Sequence, residues 1–349
     1  MNERKKMRKA FTATAVIALL GLGIAAQAVT IATVPVGNAG NAGELSGEGA
    51  GGYGPDRICG SVAYNYNIGK YEVTAGQYTD FLNAKATVSD PYGLYSTAMW
   101  SNSYGCKIQR GGGGMVPNPY SYTVASDWAN RPVNFVSYWD SCRFANWLGN
   151  GQGAGSTETG AYTLGGYNGQ DGRTIGRNAN WKWAVTSEDE WYKAAYYKGG
   201  GTTAGYWDYP TKSNTAPANQ VLSTDPGNSA NYYINNNYSI GSPYYRTNVG
   251  EFENSASAYG TFDQGGNVWE WNEAIVYEGS NYAYRGLRGG SFGSYYHPLL
   301  ASNRNDGFYP AYEDNNVGFR VSQVVPEPSS IMALAGGLIS LLGIRRRRV

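Results

Sequence analysis

Two acidic residues in a glycine-rich turn are the first candidates for chemistry in this sequence. Asp263 and Glu270 stand seven residues apart, and Gly265 and Gly266 lie between them. A tight turn would bring the two carboxylates together, and paired carboxylates suit a hard cation such as calcium, which takes oxygen ligands. The alternative interpretation is a core strand with one outward glutamate and no metal. The spacing alone is compatible with both.

The strand that follows this turn must position Glu270. Side chains alternate along a strand, so Val268 and Glu270 face one side while Trp269 and Trp271 face the other. Two indoles on one face predict a large apolar anchor for the surrounding fold.

Thiol and imidazole groups offer little for catalysis. His297 is the only histidine, and there is no Cys-x-x-Cys pair, which argues against a zinc site and against a Ser-His-Asp triad. Cys59 and Cys106 lie in glycine-rich loop sequence and could form a disulfide in an exported protein. Cys142 lies in a helical pattern, which favours a buried small apolar residue.

Composition and charge narrow the class of protein. The 349 residues carry a net charge of +1, to which residues 1–28 contribute +4 and residues 326–349 contribute +3, so the body carries about −6. A mildly acidic body argues against a nucleic-acid partner. The 49 glycines and 31 tyrosines predict a loop-rich but ordered fold.

The N-terminus has the pattern of a signal peptide over residues 1–28. Basic residues precede an apolar run from Phe11 to Ala25, and Ala26-Gln27-Ala28 fits the small-x-small cleavage pattern. The sequence therefore predicts an exported protein, with a permanent N-terminal anchor as the alternative.

Helix and strand signals describe one domain over residues 29–325. A capping box, in which a Ser or Thr and the residue three positions later cap a helix start, occurs three times. These boxes predict helices over 75–85, 138–149 and 188–197. Alternating or β-branched runs predict strands at 29–36, 62–73, 181–185, 284–292 and 317–321, and we expect the last two to pair. Residues 198–250 are predicted to form a long ordered loop.

Six short motifs in this order resemble the sulfatase-modifying factor family, whose domains are similar to formylglycine-generating enzyme. The motifs span residues 60–322 and are Lys70-Tyr71-Glu72-Val73-Thr74, Pro132-Val133-Asn134-Phe135-Val136-Ser137, Ser187-Glu188-Asp189-Glu190-Trp191, Gly266-Asn267-Val268-Trp269-Glu270-Trp271, Arg288-Gly289-Gly290-Ser291 and Gly318-Phe319-Arg320. The resemblance implies an α+β, C-type-lectin-like fold that is loop-rich and has little regular secondary structure.

The resemblance also implies bound calcium as a structural cofactor. Asp263 and Glu270 match side-chain ligands of that family, and Gly266 and Val268 match ligands that act through their carbonyl groups. Asn231 matches one ligand of a second calcium site, for which the remaining aspartate has no clear counterpart here.

The cysteine pair that binds copper in true formylglycine-generating enzymes is missing. The matching positions are Ser294 and Leu299, and neither side chain is a soft ligand for Cu(I). We therefore expect no copper and none of the family's oxidase activity. The related iron-dependent sulfoxide synthases need a histidine cluster, which a chain with one histidine lacks.

The C-terminus resembles a PEP-CTERM sorting signal over residues 326–349. Pro326-Glu327-Pro328 precedes an apolar run from Ile331 to Ile344, and four arginines follow. Fourteen helical residues span about 21 Å, short of a ~30 Å hydrocarbon core. The resemblance implies an exosortase-type protease as partner and a tail that anchors the protein in the membrane until cleavage. A plain C-terminal anchor is the alternative.

Two functions remain compatible with the sequence. The first is a non-catalytic binding or structural module at the bacterial cell surface, for a carbohydrate or an extracellular matrix ligand, because aromatic faces stack on sugars and amides bond to hydroxyls. The second is an enzyme of the same family with an altered active site. Four residues are candidates to contact the ligand: Arg288, Ser294, Tyr295 and Arg304.

Overall fold

The three longest helices begin at the predicted capping boxes. The computed structural model describes residues 28–305 and 307–325. Thr74, Ser137 and Ser187 each accept a hydrogen bond from the backbone N–H three residues later, and the side chain there returns the bond. The α-helices are α1 (Ala75–Lys85), α2 (Ala98–Ser101), α3 (Ser126–Ala129), α4 (Tyr138–Gly149) and α5 (Glu188–Tyr196), with short 3-10 helices at Glu48–Ala50 and His297–Leu299.

The strands are short and form two sheets and three hairpins. One sheet has the order β1-β4-β13-β7, the other has the order β11-β10-β12, and the hairpins are β2-β3, β5-β6 and β8-β9. The strands are β1 (Thr33–Val36), β2 (Glu44–Ser46), β3 (Arg57–Cys59), β4 (Tyr66–Gly69), β5 (Gln109–Gly111), β6 (Ser121–Thr123), β7 (Trp183–Val185), β8 (Tyr233–Ile234), β9 (Asn237–Tyr238), β10 (Trp269–Glu278), β11 (Ala283–Arg288), β12 (Val317–Gly318) and β13 (Val321–Val324).

The predicted pairing of the last two strand regions is wrong. β10 lies between them: it pairs antiparallel with β11 and parallel with β12, so β11 and β12 do not contact each other as partners. β13 leaves this sheet and pairs with β4 and β7 in the other one. The sequence pattern marks each strand, but the partner is chosen by packing across the whole domain.

The main core lies where α1 and α4 pack against both sheets. Phe144 of α4 contacts Phe81 of α1 and Phe319, which precedes β13, with each pair of ring centroids 5.4 Å apart. Trp271 of β10 is fully buried and donates from Nε1 to the carbonyl oxygen of Val136 at 3.0 Å. The two tryptophans of β10 thus form the predicted anchor.

The other face of β10 is also buried, which contradicts the interpretation of Glu270 as an outward residue. Val268 is fully buried and Glu270 is only 1% exposed. A carboxylate inside the protein needs partners of opposite charge, so the environment of Glu270 must be built from other parts of the chain.

Residues 198–250 form the long loop that was predicted, and within it the structure adds only the hairpin β8-β9. No helix of the described residues is long and apolar enough to cross a membrane. Residues 1–27 and 326–349, which carry the predicted signal peptide and C-terminal membrane segment, lie outside the described part of the chain.

Candidate functional site

The turn from Asp263 to Asn267 has an unusual backbone that the sequence supports locally. Asp263 and Asn267 adopt left-handed conformations with φ of 60° and 53°, which Asp and Asn tolerate better than most residues. Gly266 has φ of 96°, and a Cβ there would lie 2.1 Å from the carbonyl oxygen of Asn231. Only glycine fits this close approach of two backbone segments.

Glu270 is neutralised by an arginine fifty residues away. Arg320 Nε donates to Oε2 and Arg320 Nη2 donates to Oε1, both at 2.6 Å, and Trp191 Nε1 donates to Oε2 at 2.7 Å. This is a bidentate pair between two fully buried groups, the geometry in which arginine holds a carboxylate most strongly.

The other predicted calcium ligands are dispersed around this pair. Asp263 Oδ2 accepts from the backbone N–H of Gly250 at 2.6 Å, and burial raises the pKa of Asp263 to about 6. Asn231 Nδ2 donates to the carbonyl oxygen of Tyr245 and to Asn267 Oδ1, while Asn231 Oδ1 is buried without a hydrogen-bond partner in the described chain.

The residues around Glu270 do not fit calcium. The Arg320 guanidinium already engages both oxygens that a calcium ion would take at Glu270, and a second cation beside it would be repelled. Among residues 28–305 and 307–325, no three His, Cys, Asp or Glu side chains are grouped so as to hold a metal ion. Calcium therefore stays a prediction from the sequence.

Two of the four predicted ligand-binding residues belong to a buried ion cluster. Arg288 Nε and Arg304 Nε both donate to Glu188 Oε1, at 3.0 and 2.8 Å, and Arg57 Nη1 donates to Glu188 Oε2 at 2.6 Å. Burial alone would raise the pKa of Glu188, but the surrounding guanidinium groups outweigh it and lower the pKa to about 2. Arg288 is fully buried and Arg304 is 5% exposed, and both form ion pairs with Glu188 at the start of α5.

The other two predicted residues lie at the surface. Tyr295 is 54% exposed, and the neighbouring Ser294 is half-buried. Ser294 Oγ accepts from the backbone N–H of Ser291 at 3.0 Å. Leu299, the second position that matches a family cysteine, is fully buried in an apolar group with Tyr209 and Tyr232. These two positions therefore offer a hydroxyl and an alkyl group.

Tyr295 belongs to an aromatic cluster that the sequence did not reveal. The aromatic cluster consists of Tyr104, Tyr233, Tyr238, Tyr245, Phe292 and Tyr295. Its ring centroids lie 5.6 Å apart for Tyr233 and Tyr295, 4.8 Å for Tyr233 and Tyr238, 5.1 Å for Tyr238 and Tyr245, and 4.5 Å for Tyr104 and Tyr245. The members come from distant segments, so the only sequence signal was the high tyrosine content.

A tight hairpin positions one side of the aromatic cluster. Asn235 and Asn236 connect β8 to β9 and have φ of 51° and 60°, the backbone of a two-residue turn that asparagine favours. The N–H of Tyr233 donates to the carbonyl oxygen of Ser294 at 2.7 Å. The hairpin is thereby tied to the segment that carries Tyr295, and exposed amides stand beside exposed rings.

The three cysteines are free and buried, so the suggested Cys59–Cys106 disulfide is not present. Cys59 lies in an apolar group with Trp191, while Cys106 lies in the main core with Cys142. Burial raises the pKa of the Cys59 thiol to about 11, which leaves it protonated and unreactive at neutral pH.

We expect a thiol reagent such as dithionitrobenzoate to label none of the cysteines in the folded protein at neutral pH. The same reagent should label all three in denaturant without prior reduction, because no disulfide holds them. A count of one thiol in denaturant would instead indicate a disulfide.

Comparisons with solved structures indicate the fold. The chain is similar to the structure described as "Crystal Structure of CarF", with a TM-score of 0.50 and 19% identity over 85% of this chain and 99% of that chain. It is also similar to PvdO from Pseudomonas aeruginosa, with a TM-score of 0.48 and 20% identity over 84% of this chain and 94% of that chain. The first of these likenesses, together with the mixed and loop-rich architecture, gives the fold as α+β and C-type-lectin-like. No curated protein matches the chain significantly.

Two family models match the sequence. Residues 324–348 match the PEP-CTERM protein-sorting motif, which indicates an exported protein that is sorted to the cell surface. Residues 36–324 match the model described as "Sulfatase-modifying factor enzyme 1-like domain", which accounts for almost all of the described structure. The chain therefore belongs to the sulfatase-modifying factor enzyme 1-like family.

Proposed function

We propose that this protein is a non-catalytic binding module of the cell surface and that its ligand is a carbohydrate of the extracellular matrix. The family supplies the scaffold, and the two positions that match the family's copper-binding cysteines are Ser294 and Leu299. A hydroxyl and a buried alkyl group are not ligands for Cu(I). The proposal therefore assigns the domain a binding role in place of copper-dependent oxidation.

The observation that carries this proposal is the aromatic cluster. Tyr238 and Tyr295 are 38% and 54% exposed, and Asn235 to Asn237 are exposed next to them. Tyrosine offers a flat apolar face together with a hydroxyl, and asparagine offers both a donor and an acceptor. Sugar rings have apolar C–H faces and hydroxyl edges, so this surface matches both of their chemical features.

Removal of an exposed ring should weaken glycan binding without unfolding the protein. We expect Tyr295→Ala to lower the affinity for a glycan identified on an array by about tenfold, since loss of about 1.4 kcal/mol corresponds to one order of magnitude. Titration calorimetry of the full chain measures the affinity. Tyr277→Ala, which removes a 44% exposed tyrosine on β10, is the matched control. Equal effects of both variants would contradict the proposal.

The alternative, an altered enzyme of the same family, makes a different prediction. It requires conversion of a cysteine-containing peptide, with oxygen consumption, by the protein supplied with Cu(I). Conversion by the unmodified protein would overturn the binding-module proposal.

We also propose that an exosortase-type protease cleaves the tail near Pro326-Glu327-Pro328 and releases the apolar segment, so that the membrane anchor is transient. The sorting motif supports this proposal. Mass spectrometry of the protein from native cells should find a C-terminus near these residues, and replacement of all three should give an uncleaved, membrane-bound protein. A native tail that is intact through Val349 would leave only the plain anchor.

A further inference from the structure

A groove next to the aromatic cluster combines stacking surfaces with unpaired positive charge. We call it the tryptophan groove; it has a volume of about 590 Å³ and lies among α2, α3 and the hairpin β5-β6. The lining residues used below are Trp100, Lys107, Gln109, Asp127, Trp128 and Tyr244. The groove and the aromatic cluster adjoin, because Tyr244 of the groove is followed in the chain by Tyr245 of the cluster.

The aromatic residues of the groove leave a ring available for contact with a ligand. Trp100 is 47% exposed, which is unusual for so large an apolar side chain on a protein surface. Trp128 is nearly buried, and its ring lies 5.0 Å from the ring of Tyr244. Trp128 and Tyr244 thus form a fixed apolar wall, and Trp100 stands at its open side.

The ammonium group of Lys107 lies beside the apolar wall formed by Trp128 and Tyr244. Its Nζ lies 5.9 Å from the centre of the Trp128 ring and donates to the carbonyl oxygens of Trp100 and Asn102, at 3.3 and 2.6 Å. An ammonium group has three hydrogens, so one remains for a ligand. The two carbonyl groups fix the position of the cation without neutralising its charge.

Two arginines add to this positive charge. The Arg131 guanidinium lies 3.9 Å from the centre of the Tyr244 ring, and the fully buried Arg246 acts electrostatically on Lys107. None of Lys107, Arg131 and Arg246 has a salt bridge to a carboxylate among the described residues. The one carboxylate that lines the groove, Asp127, accepts from the Tyr244 hydroxyl at 2.9 Å.

The positive charge of Arg246 is not balanced by a carboxylate among the described residues. Its Nε and Nη2 have no hydrogen-bond partner in the described chain, although Nη1 donates to the carbonyl oxygen of Tyr104. A buried, unpaired cation is costly, and an anion bound nearby would lower that cost. Burial, followed by the charge of Arg246, lowers the pKa of Lys107.

We propose that the tryptophan groove binds a uronic acid unit of an acidic polysaccharide, with the apolar face of the sugar against Trp100 and its carboxylate at Lys107. The rings account for binding of a sugar, and the unpaired cations account for the acidic group. The amide of Gln109 and the carboxylate of Asp127 are in place for sugar hydroxyls. This inference rests on the proposed carbohydrate-binding function and names the ligand class and a second contact surface for it.

The test compares three probes on the purified full-length protein by titration calorimetry. The probes are oligogalacturonate, which is acidic; a neutral gluco-oligosaccharide of the same length; and polyglutamate, which is acidic but not a sugar. We expect oligogalacturonate to bind more tightly than either of the others, and its affinity to fall with rising salt because the charges are accessible to solvent.

Two variants test the assignment of residues, and a third is a matched control. Lys107→Gln should weaken oligogalacturonate binding about tenfold through loss of a charged contact, with the neutral probe unchanged. Trp100→Ala should weaken binding of both sugars several-fold. Lys198→Gln removes an equal charge from an exposed lysine 4.8 Å above the Trp207 ring, outside the groove, and should change neither. Circular dichroism verifies that each variant is folded.

The outcomes separate this inference from the proposed function. Binding of oligogalacturonate that depends on Tyr295 but not on Lys107 or Trp100 would overturn the uronate site and leave the carbohydrate function standing. Binding of polyglutamate as tight as that of oligogalacturonate would overturn the sugar assignment of the groove. An absence of binding to any glycan would overturn both.

Discussion

Substitution of Glu188 by Gln is expected to destabilise the protein by about 3–5 kcal/mol, because removal of one partner leaves buried charges without compensation. Glu188 is the carboxylate shared by Arg57, Arg288 and Arg304. Arg288 is fully buried and cannot turn to solvent. Chemical denaturation measures the change, and Glu48→Gln, at an exposed glutamate, should stay within about 0.5 kcal/mol.

The same substitution should leave a signature in the pH dependence of stability. The pKa of Glu188 is about 2 in the folded protein, against an ordinary value of 4.5 for a free glutamate side chain. A depressed carboxylate pKa contributes stability that is complete above the unfolded pKa and is lost as the pH falls from about 4.5 to 2. Wild type should therefore lose more stability than Glu188→Gln over this range. Parallel curves for both proteins would contradict the role of the ion cluster.

The second large effect is expected at Arg320. Arg320→Met should destabilise the fold by about 3–5 kcal/mol, because Glu270 would keep a buried charge with only Trp191 as a donor. Glu72 adds to the effect: it is buried nearby, both of its carboxylate oxygens lack partners in the described chain, and burial raises its pKa well above the usual value. Loss of the arginine would remove a positive charge that lowers the pKa of Glu72, so this pKa would rise further.

The double variant Arg320→Met with Glu270→Gln separates this explanation from a general packing defect. The glutamine can still accept from Trp191 Nε1 and carries no charge at position 270, so we expect most of the lost stability to return. If the double variant is as unstable as Arg320→Met alone, the loss does not come from the unpaired charge of Glu270.

The predicted calcium can be tested by melting the wild-type protein with and without a chelator. A lower Tm in the presence of the chelator would support bound calcium.

Much of the local structure could be predicted from the sequence, because its causes lie within a few residues. α1 and α4 have the predicted bounds, and α5 ends one residue earlier than predicted. The capping residue and its partner stand three positions apart, so the signal is complete in a short window. The six family motifs likewise carried the fold class, since each is a short run of residues in a fixed order.

The partners of the strands and of the buried charges were decided by the tertiary structure. β11 and β12 are separated by β10, and Glu270 meets Arg320 across fifty residues. Arg288 and Arg304 had the residue type of ligand contacts, yet Glu188 holds both inside the protein. The aromatic cluster and the tryptophan groove are likewise built from segments far apart in the chain. Spacing along the sequence cannot report such contacts, because they form only when the core has packed and the free energy of burial has chosen which segments meet.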